Sequence, residues 1–292
     1  MKYKQISFDQ FLSYQKIALA MPYPEGHSLN YLEKIADFES LSMLRKKDFF
    51  CDYEGLSLLR HQLEENFYKN SNGQIFLRTN IPDFIDLISS LEEMMEIKLP
   101  DIIDNLEIIY DVINQTKTHK NVYIIDYWGL DISKIHHQNI IIFSSIEILY
   151  GIEGVNICWT HIRNEVTADK IRSALSHKGP ACSVIAEVYG LIAARNHNLI
   201  RAQNEKLISE NRQILELFKN SHHKVDLKIS QTLPVGILKI EKMTEFVYYL
   251  KSHKSIFAHV AEGSANSMYI FFGKKEFKTV FAEFANAIEL YI

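Results

Sequence analysis

Four side chains near the ends of apolar runs could do chemistry. Asp126 closes "NVYIID", Ser145 closes "NIIIFSS", Glu147 follows two residues later, and His161 lies within "GVNICWTHI". Carboxylates and an imidazole at strand ends are the material of general acid–base catalysis, and Tyr127 adds a phenol. Tyr127, Trp128 and Trp159 fall near the same ends, where an α/β sheet binds ligands, and are candidates to line an aromatic pocket. The competing readings are structural: Asp126 caps the loop after its strand, His161 is a satisfied half-buried histidine, and the aromatics fill a core. "DYWGLDISKIHHQN" brings Asp131, His136 and His137 close to Asp126 in sequence. Adjacent histidines in a polar loop point to opposite sides, so no metal site is expected. Cys51, Cys158 and Cys182 are far apart and form no CxxC pair, so they are expected to be buried free thiols. A Gly-rich phosphate loop and a Gly-x-Ser-x-Gly elbow are both missing.

These groups need a scaffold, and the chain supplies one. With 292 residues, 47% of them hydrophobic and 23% charged, it is long enough for a large core. A net charge of −4 excludes a broad attraction to nucleic acid or anionic lipid. The apolar runs are too short to span a bilayer, and the start "KYKQISFDQF" lacks the apolar centre of a secretory signal. A cytoplasmic location is therefore expected.

Periodicity predicts helices over 7–20, from Asn30 to about Leu44, and over "GLSLLRHQLEENFYKN", where Leu56, Leu59, Leu63 and Phe67 share a face. The strand "QIFLRT" precedes a helix "IPDFIDLISSLEEMM" that starts with an early proline. A helix over "LPDIIDNLEIIYDVINQT" leads to the strands "NVYIID", "NIIIFSS" and "GVNICWTHI". Continuous apolar strands alternating with helices predict an α/β fold, a mainly parallel sheet flanked by helices. From 183 to 219 one long helical run is expected, followed by an α+β tail with the strands "VGILKIE" and "SMYIFFG". The expected organisation is an arm and helix over 1–40, a large domain over 41–178 and a small α+β domain over 179–292, hinged near Gly179–Pro180.

The series of motifs resembles fold type I pyridoxal-phosphate aminotransferases of class I/II, over roughly residues 40 to 292. "YEGLSLLR" matches a Tyr-x-Gly-x-x-x-Leu-Arg entry through Tyr53, Gly55, Leu59 and Arg60. "IFLRTN" matches the strand-turn-helix that cups the cofactor phosphate, and "VYIIDYWG" the strand ending in an aspartate, here Asp126. "SSIEILYGIEGVNICW" matches Ser-x-Ser-Lys-x-x-Gly-x-x-Gly-x-Arg-x-Gly-Trp. Pro180, Ser183 and the long helix match the entry to the small domain.

The resemblance also shows which chemistry is missing. Ile148 stands where the Schiff-base lysine belongs, and a hydrocarbon side chain forms no imine. Glu147 replaces a phosphate-binding serine, Asn156 the phosphate-pairing arginine, and Cys158 a glycine; Ser145 keeps one hydroxyl. Tyr269 replaces the arginine that grips a substrate carboxylate. "EIKLP" stands where the family has a longer wall carrying a ring-stacking aromatic and an asparagine. The resemblance thus implies a shortened member without ordinary transaminase activity: a homodimeric pseudoenzyme acting as a binding or accessory subunit in amino-acid-derived metabolism. No cofactor is expected, the alternative being non-covalent pyridoxal phosphate on the remnants Asp126, Ser145 and Asn156. The rival function is a cofactor-independent enzyme reusing the emptied pocket, with Asp126, Glu147 and His161 as acid–base groups.

Overall fold

The structure is a computed structural model that describes residues 26–45, 52–69, 71–99, 105–179, 182–223, 225–260 and 266–290. The helix expected over 7–20, Cys51, Pro100 and Pro180 lie outside them. Cα packing divides the chain into two units. One comprises Gly26–Leu99 and Glu107–Ala202; the other comprises Met1–Glu25, Pro100–Leu106 and Gln203–Ile292.

In the first unit, α1 (Leu29–Ile35), α2 (Phe38–Arg45) and α3 (Ser57–Phe67) precede β1 (Gln74–Arg78) and α4 (Ile81–Ser89). Then come β2 (Met94–Glu96), α5 (Leu106–Gln115), β3 (Asn121–Ile125), β4 (Ile140–Ser145), α6 (Ile146–Tyr150), β5 (Cys158–Ile162), α7 (Glu165–Ser176) and α8 (Val184–Arg195). The sheet has the order β1-β5-β4-β3-β2. β5 is antiparallel to both neighbours, whereas β2, β3 and β4 pair in parallel, so four of the five strands point the same way. The expected mainly parallel sheet is present.

One face of this sheet is sealed by α4 and α7. Phe76, Phe143, Cys158 and Ile162 pack there with Phe84, Leu87, Ile88, Ile171 and Leu175. α8 is buried continuously from Glu187 to Ala194, as its apolar sequence requires. It packs closely on α3: a Cβ on Gly190 would lie 3.0 Å from Leu59. The Glu187 carboxylate, itself buried, accepts the Leu56 backbone N–H at 2.7 Å. The four apolar residues expected on one face of α3 are all buried.

Two elements differ from expectation. The helix expected to run from Ile81 through Met95 stops at Ser89, where the Ser89 and Ser90 hydroxyls bond back to the carbonyls of Ile85 and Leu87. Met94–Glu96 instead forms the edge strand β2, paired with β3. The run expected over 183–219 is two helices, α8 and α9 (His197–Ser221), because Asn196 caps the first with its own amide on the Ile192 carbonyl.

The second unit contains most of α9 and the antiparallel sheet β6-β7-β9-β8, formed by β6 (Asp226–Ile229), β7 (Val235–Lys239), β8 (His259–Val260) and β9 (Ser267–Phe271). β6 and β8 had no counterpart in the sequence reading. Helices α10 (Met243–Lys254) and α11 (Phe277–Ile288) pack on this sheet around Phe246, Leu238, Ile270, Phe281 and Phe284. This is the α+β tail that was expected.

Candidate functional site

Three loops meet the carboxyl edge of the large sheet. Arg78 ends β1, Ser145 ends β4, and Asp126 follows β3; Cys158, the first residue of antiparallel β5, lies on the same edge. Arg78 pairs with Cys158 and Cys158 with Ser145. Directly paired residues share a face, so these three side chains form one row.

Asp126 is fully buried. Its Oδ1 accepts the backbone N–H groups of Trp128 and Gly129 at 2.8 and 2.9 Å, and its Oδ2 that of Leu130 at 2.9 Å. Its own carbonyl accepts the Ser144 hydroxyl at 2.8 Å. Burial raises the carboxyl pKa, while the three amides and the Arg201 guanidinium act in the opposite direction. The carboxylate therefore holds the turn 126–130 together and presents no surface to a ligand.

The opening stretch of the resemblance is equally occupied. Ser145 is the N-cap of α6, its Oγ accepting the Ile148 N–H at 3.0 Å. Ile148 is only 7% exposed. Gly151 ends the helix with φ 66°, a left-handed value that suits glycine, and its N–H bonds to the Glu147 carbonyl. Glu147 is half-buried, and Asn156 is exposed.

The aromatic candidates separate into two groups. Trp159 is completely buried and donates its indole N–H to the Tyr68 hydroxyl at 2.9 Å. Phe67 stacks on it with ring centres 5.9 Å apart. His161 stacks on Tyr68 at 4.3 Å, and its Nε2 meets the Ser71 hydroxyl at 2.9 Å. Burial, with Arg163 nearby, pushes His161 down to about 3, so the ring is neutral. Trp159 and His161 thus belong to a packed interior cluster. Tyr127 and Trp128 sit half-buried in the Asp126 loop, edge to face at 5.7 Å. Tyr269 belongs to the other unit; it is 6% exposed on β9, opposite Ile237 and His259.

Sequence reasoning passed over one group. Arg78 lies within "IFLRTN", the segment whose resemblance rests on its strand-turn-helix pattern and not on the arginine. Its Nε and Nη2 are buried and have no hydrogen-bond partner among the described residues; the same is true of the Trp128 indole N–H. Burial lowers the Arg78 pKa. The signal in the sequence was a cation ending an otherwise apolar strand. Among the described residues no group of three or more His, Cys, Asp or Glu side chains could hold a metal ion. Asp131 instead accepts the backbone N–H and hydroxyl of Ser133.

This edge and its flanking helices define a class: the chain has the fold of the pyridoxal-phosphate-dependent aminotransferases. It is similar to a PLP-dependent aminotransferase from Streptococcus suis, with a TM-score of 0.77 and 12% identity, covering 100% of this chain and 99% of that one. It is also similar to a histidinol-phosphate aminotransferase from Clostridium acetobutylicum (TM-score 0.72, 11% identity, 95% and 100% covered). An Escherichia coli protein with a methionine aminotransferase function gives a TM-score of 0.73 at 10% identity, covering 98% of this chain and 97% of that one. No family model matches the sequence, and no curated protein matches it. At such identities the likeness is one of fold.

The residues present do not fit covalently held pyridoxal phosphate. Ile148 has no amine, the Ser145 oxygen caps a helix, and Asp126 has no exposed oxygen for a ring nitrogen. Arg78, whose Nε and Nη2 have no partner among the described residues, is suited to an anion. No described helix is long and apolar enough to cross a membrane.

Proposed function

We propose that this protein is a pseudoenzyme on the aminotransferase fold that binds an anionic small molecule without Schiff-base chemistry. It serves as a cytoplasmic binding or accessory subunit in amino-acid-derived metabolism and works as a homodimer. The observation that carries this reading is the pairing of a buried Ile148 with a sealed Asp126. The orphaned N–H groups of Arg78 and Trp128 support an anionic ligand, because buried donors without acceptors are costly unless a ligand satisfies them. The rival acid–base enzyme lacks support at Asp126, which is withdrawn from any substrate.

The test combines two measurements on the full chain. After incubation with pyridoxal phosphate and reduction with borohydride, mass spectrometry is expected to show no single lysine modified stoichiometrically. No amino transfer from a panel of amino acids is expected either. A stoichiometric adduct on one lysine, with turnover, overturns the reading. Small carboxylates are expected to raise the melting temperature of the wild type and not of Arg78→Ala. Sedimentation is expected to give twice the chain mass.

A further inference from the structure

Away from the carboxyl edge, the loops that enter β3 and β4 flank an open surface crevice of about 420 Å³ lined by Thr116, Lys117, Thr118, His119, His137, Gln138 and Asn139. It sits at the amino ends of these strands, a strand length, roughly 17 Å, from Asp126 and Ser145. None of the seven lining residues is a carboxylate.

The lining has a frame and a set of free donors. Asn139 donates to the His119 carbonyl at 3.1 Å and accepts from the Asn164 amide at 2.9 Å. Its backbone N–H bonds to Nδ1 of His137 at 3.2 Å, which leaves the ring proton on Nε2. Arg163 reaches the carbonyls of Ile132 and Ile135 at 3.1 and 2.7 Å and ties down the start of the second loop. Asn114 clamps the same segment through the Lys134 carbonyl and the His136 N–H. Against this frame, the side chains of Lys117, His119 and Gln138 have no hydrogen bond or ion pair among the described residues. Thr118 accepts the Lys120 N–H at 3.1 Å, which leaves its hydroxyl proton free to donate. Lys120 itself is held by Glu93 at 2.6 Å and is not part of the set.

We infer that this crevice is a binding site for a phosphate monoester, with Lys117, His119, Gln138 and Thr118 as donors to its oxygens. An ammonium, an imidazole, an amide and a hydroxyl suit a multi-oxygen anion, and the lack of a carboxylate disfavours a cation. The volume takes the phosphate and a small organic part. This site is independent of the carboxyl edge and of the function proposed there.

The test is titration calorimetry of the full chain with inorganic phosphate and with phosphoserine. Wild type is expected to bind both, with Lys117→Ala and His119→Ala each weakening binding about tenfold or more. Both side chains are exposed, so the variants fold, and unchanged circular dichroism checks this. Arg78→Ala separates the two sites: it is expected to leave this affinity unchanged. Binding that survives in the double variant Lys117→Ala/His119→Ala, or that disappears in Arg78→Ala, overturns the assignment, as does no binding at millimolar phosphate.

Discussion

Asp126→Ala tests whether this carboxylate is a structural clamp. The side chain accepts three backbone N–H groups at 2.8 to 2.9 Å and is fully buried. Hydrogen bonds to a charged acceptor are worth about 1.5–3 kcal/mol each, which sets an upper bound of roughly 9 kcal/mol for three. Such terms are not additive within one turn, and the substitution also removes a buried charge whose desolvation costs several kcal/mol. The groups left behind differ in access to water. Trp128 and Gly129 are half-exposed and can rehydrate, but Leu130 is 1% exposed, and its N–H stays buried without a partner at about 1–3 kcal/mol. The expected net loss is about 2–4 kcal/mol. Urea unfolding measures it as a lower midpoint with an unchanged slope. Lys178→Gln, at an exposed position, is the control and is expected within about 0.5 kcal/mol of wild type. If Asp126→Ala also falls within about 0.5 kcal/mol, the carboxylate is not holding the turn and is not withdrawn from ligands by it.

Three further outcomes follow from the geometry. Folded His161 titrates at about 3 rather than near 6.5, so the unfolded chain binds the extra proton between those values, and stability present above pH 6.5 is lost on acidification. Between pH 7 and pH 5 this amounts to about 2 kcal/mol, and His161→Phe is expected to flatten the profile by that amount; an unchanged profile refutes it. Gly55→Ala is expected to cost about 2–4 kcal/mol, since φ is +95° and a Cβ would lie 2.5 Å from Leu77; a melting temperature equal to wild type would contradict the turn geometry. Ile148→Lys is expected to lower stability by about 3–5 kcal/mol by burying an unpaired amine, without covalent capture of pyridoxal phosphate. Stoichiometric capture at residue 148 would show that the cofactor site is intact apart from its lysine.

Much of the architecture was legible in the chain. The runs "NVYIID", "NIIIFSS" and "GVNICWTHI" form central strands because only a strand covered on both faces tolerates such continuous apolar sequence. The face of α3 came from its periodicity. The glycine spacing in "SSIEILYGIEGVNICW" corresponds to Gly151 and Gly154, both with positive φ in the structure. β2 and β8 were not legible. At three and two residues, they are too short to carry a pattern of their own, and their pairing partners define them.

For the site, residue type alone says that isoleucine at 148 offers no amine, whatever its surroundings. Only the tertiary structure decided what the remaining groups do. A carboxylate ending a strand reads the same in sequence whether it faces a ligand or its own loop. Asp126 proved to face its loop because the turn 127–130 folds back and aims three N–H groups at it. Likewise, Arg78 became a candidate only when folding buried its Nε and Nη2 away from any partner among the described residues, and the crevice at the other end of the strands is formed by two loops that Asn139 bridges through the His119 carbonyl. Hydrogen-bond capacity belongs to a residue type, but its satisfaction depends on neighbours that the fold brings together.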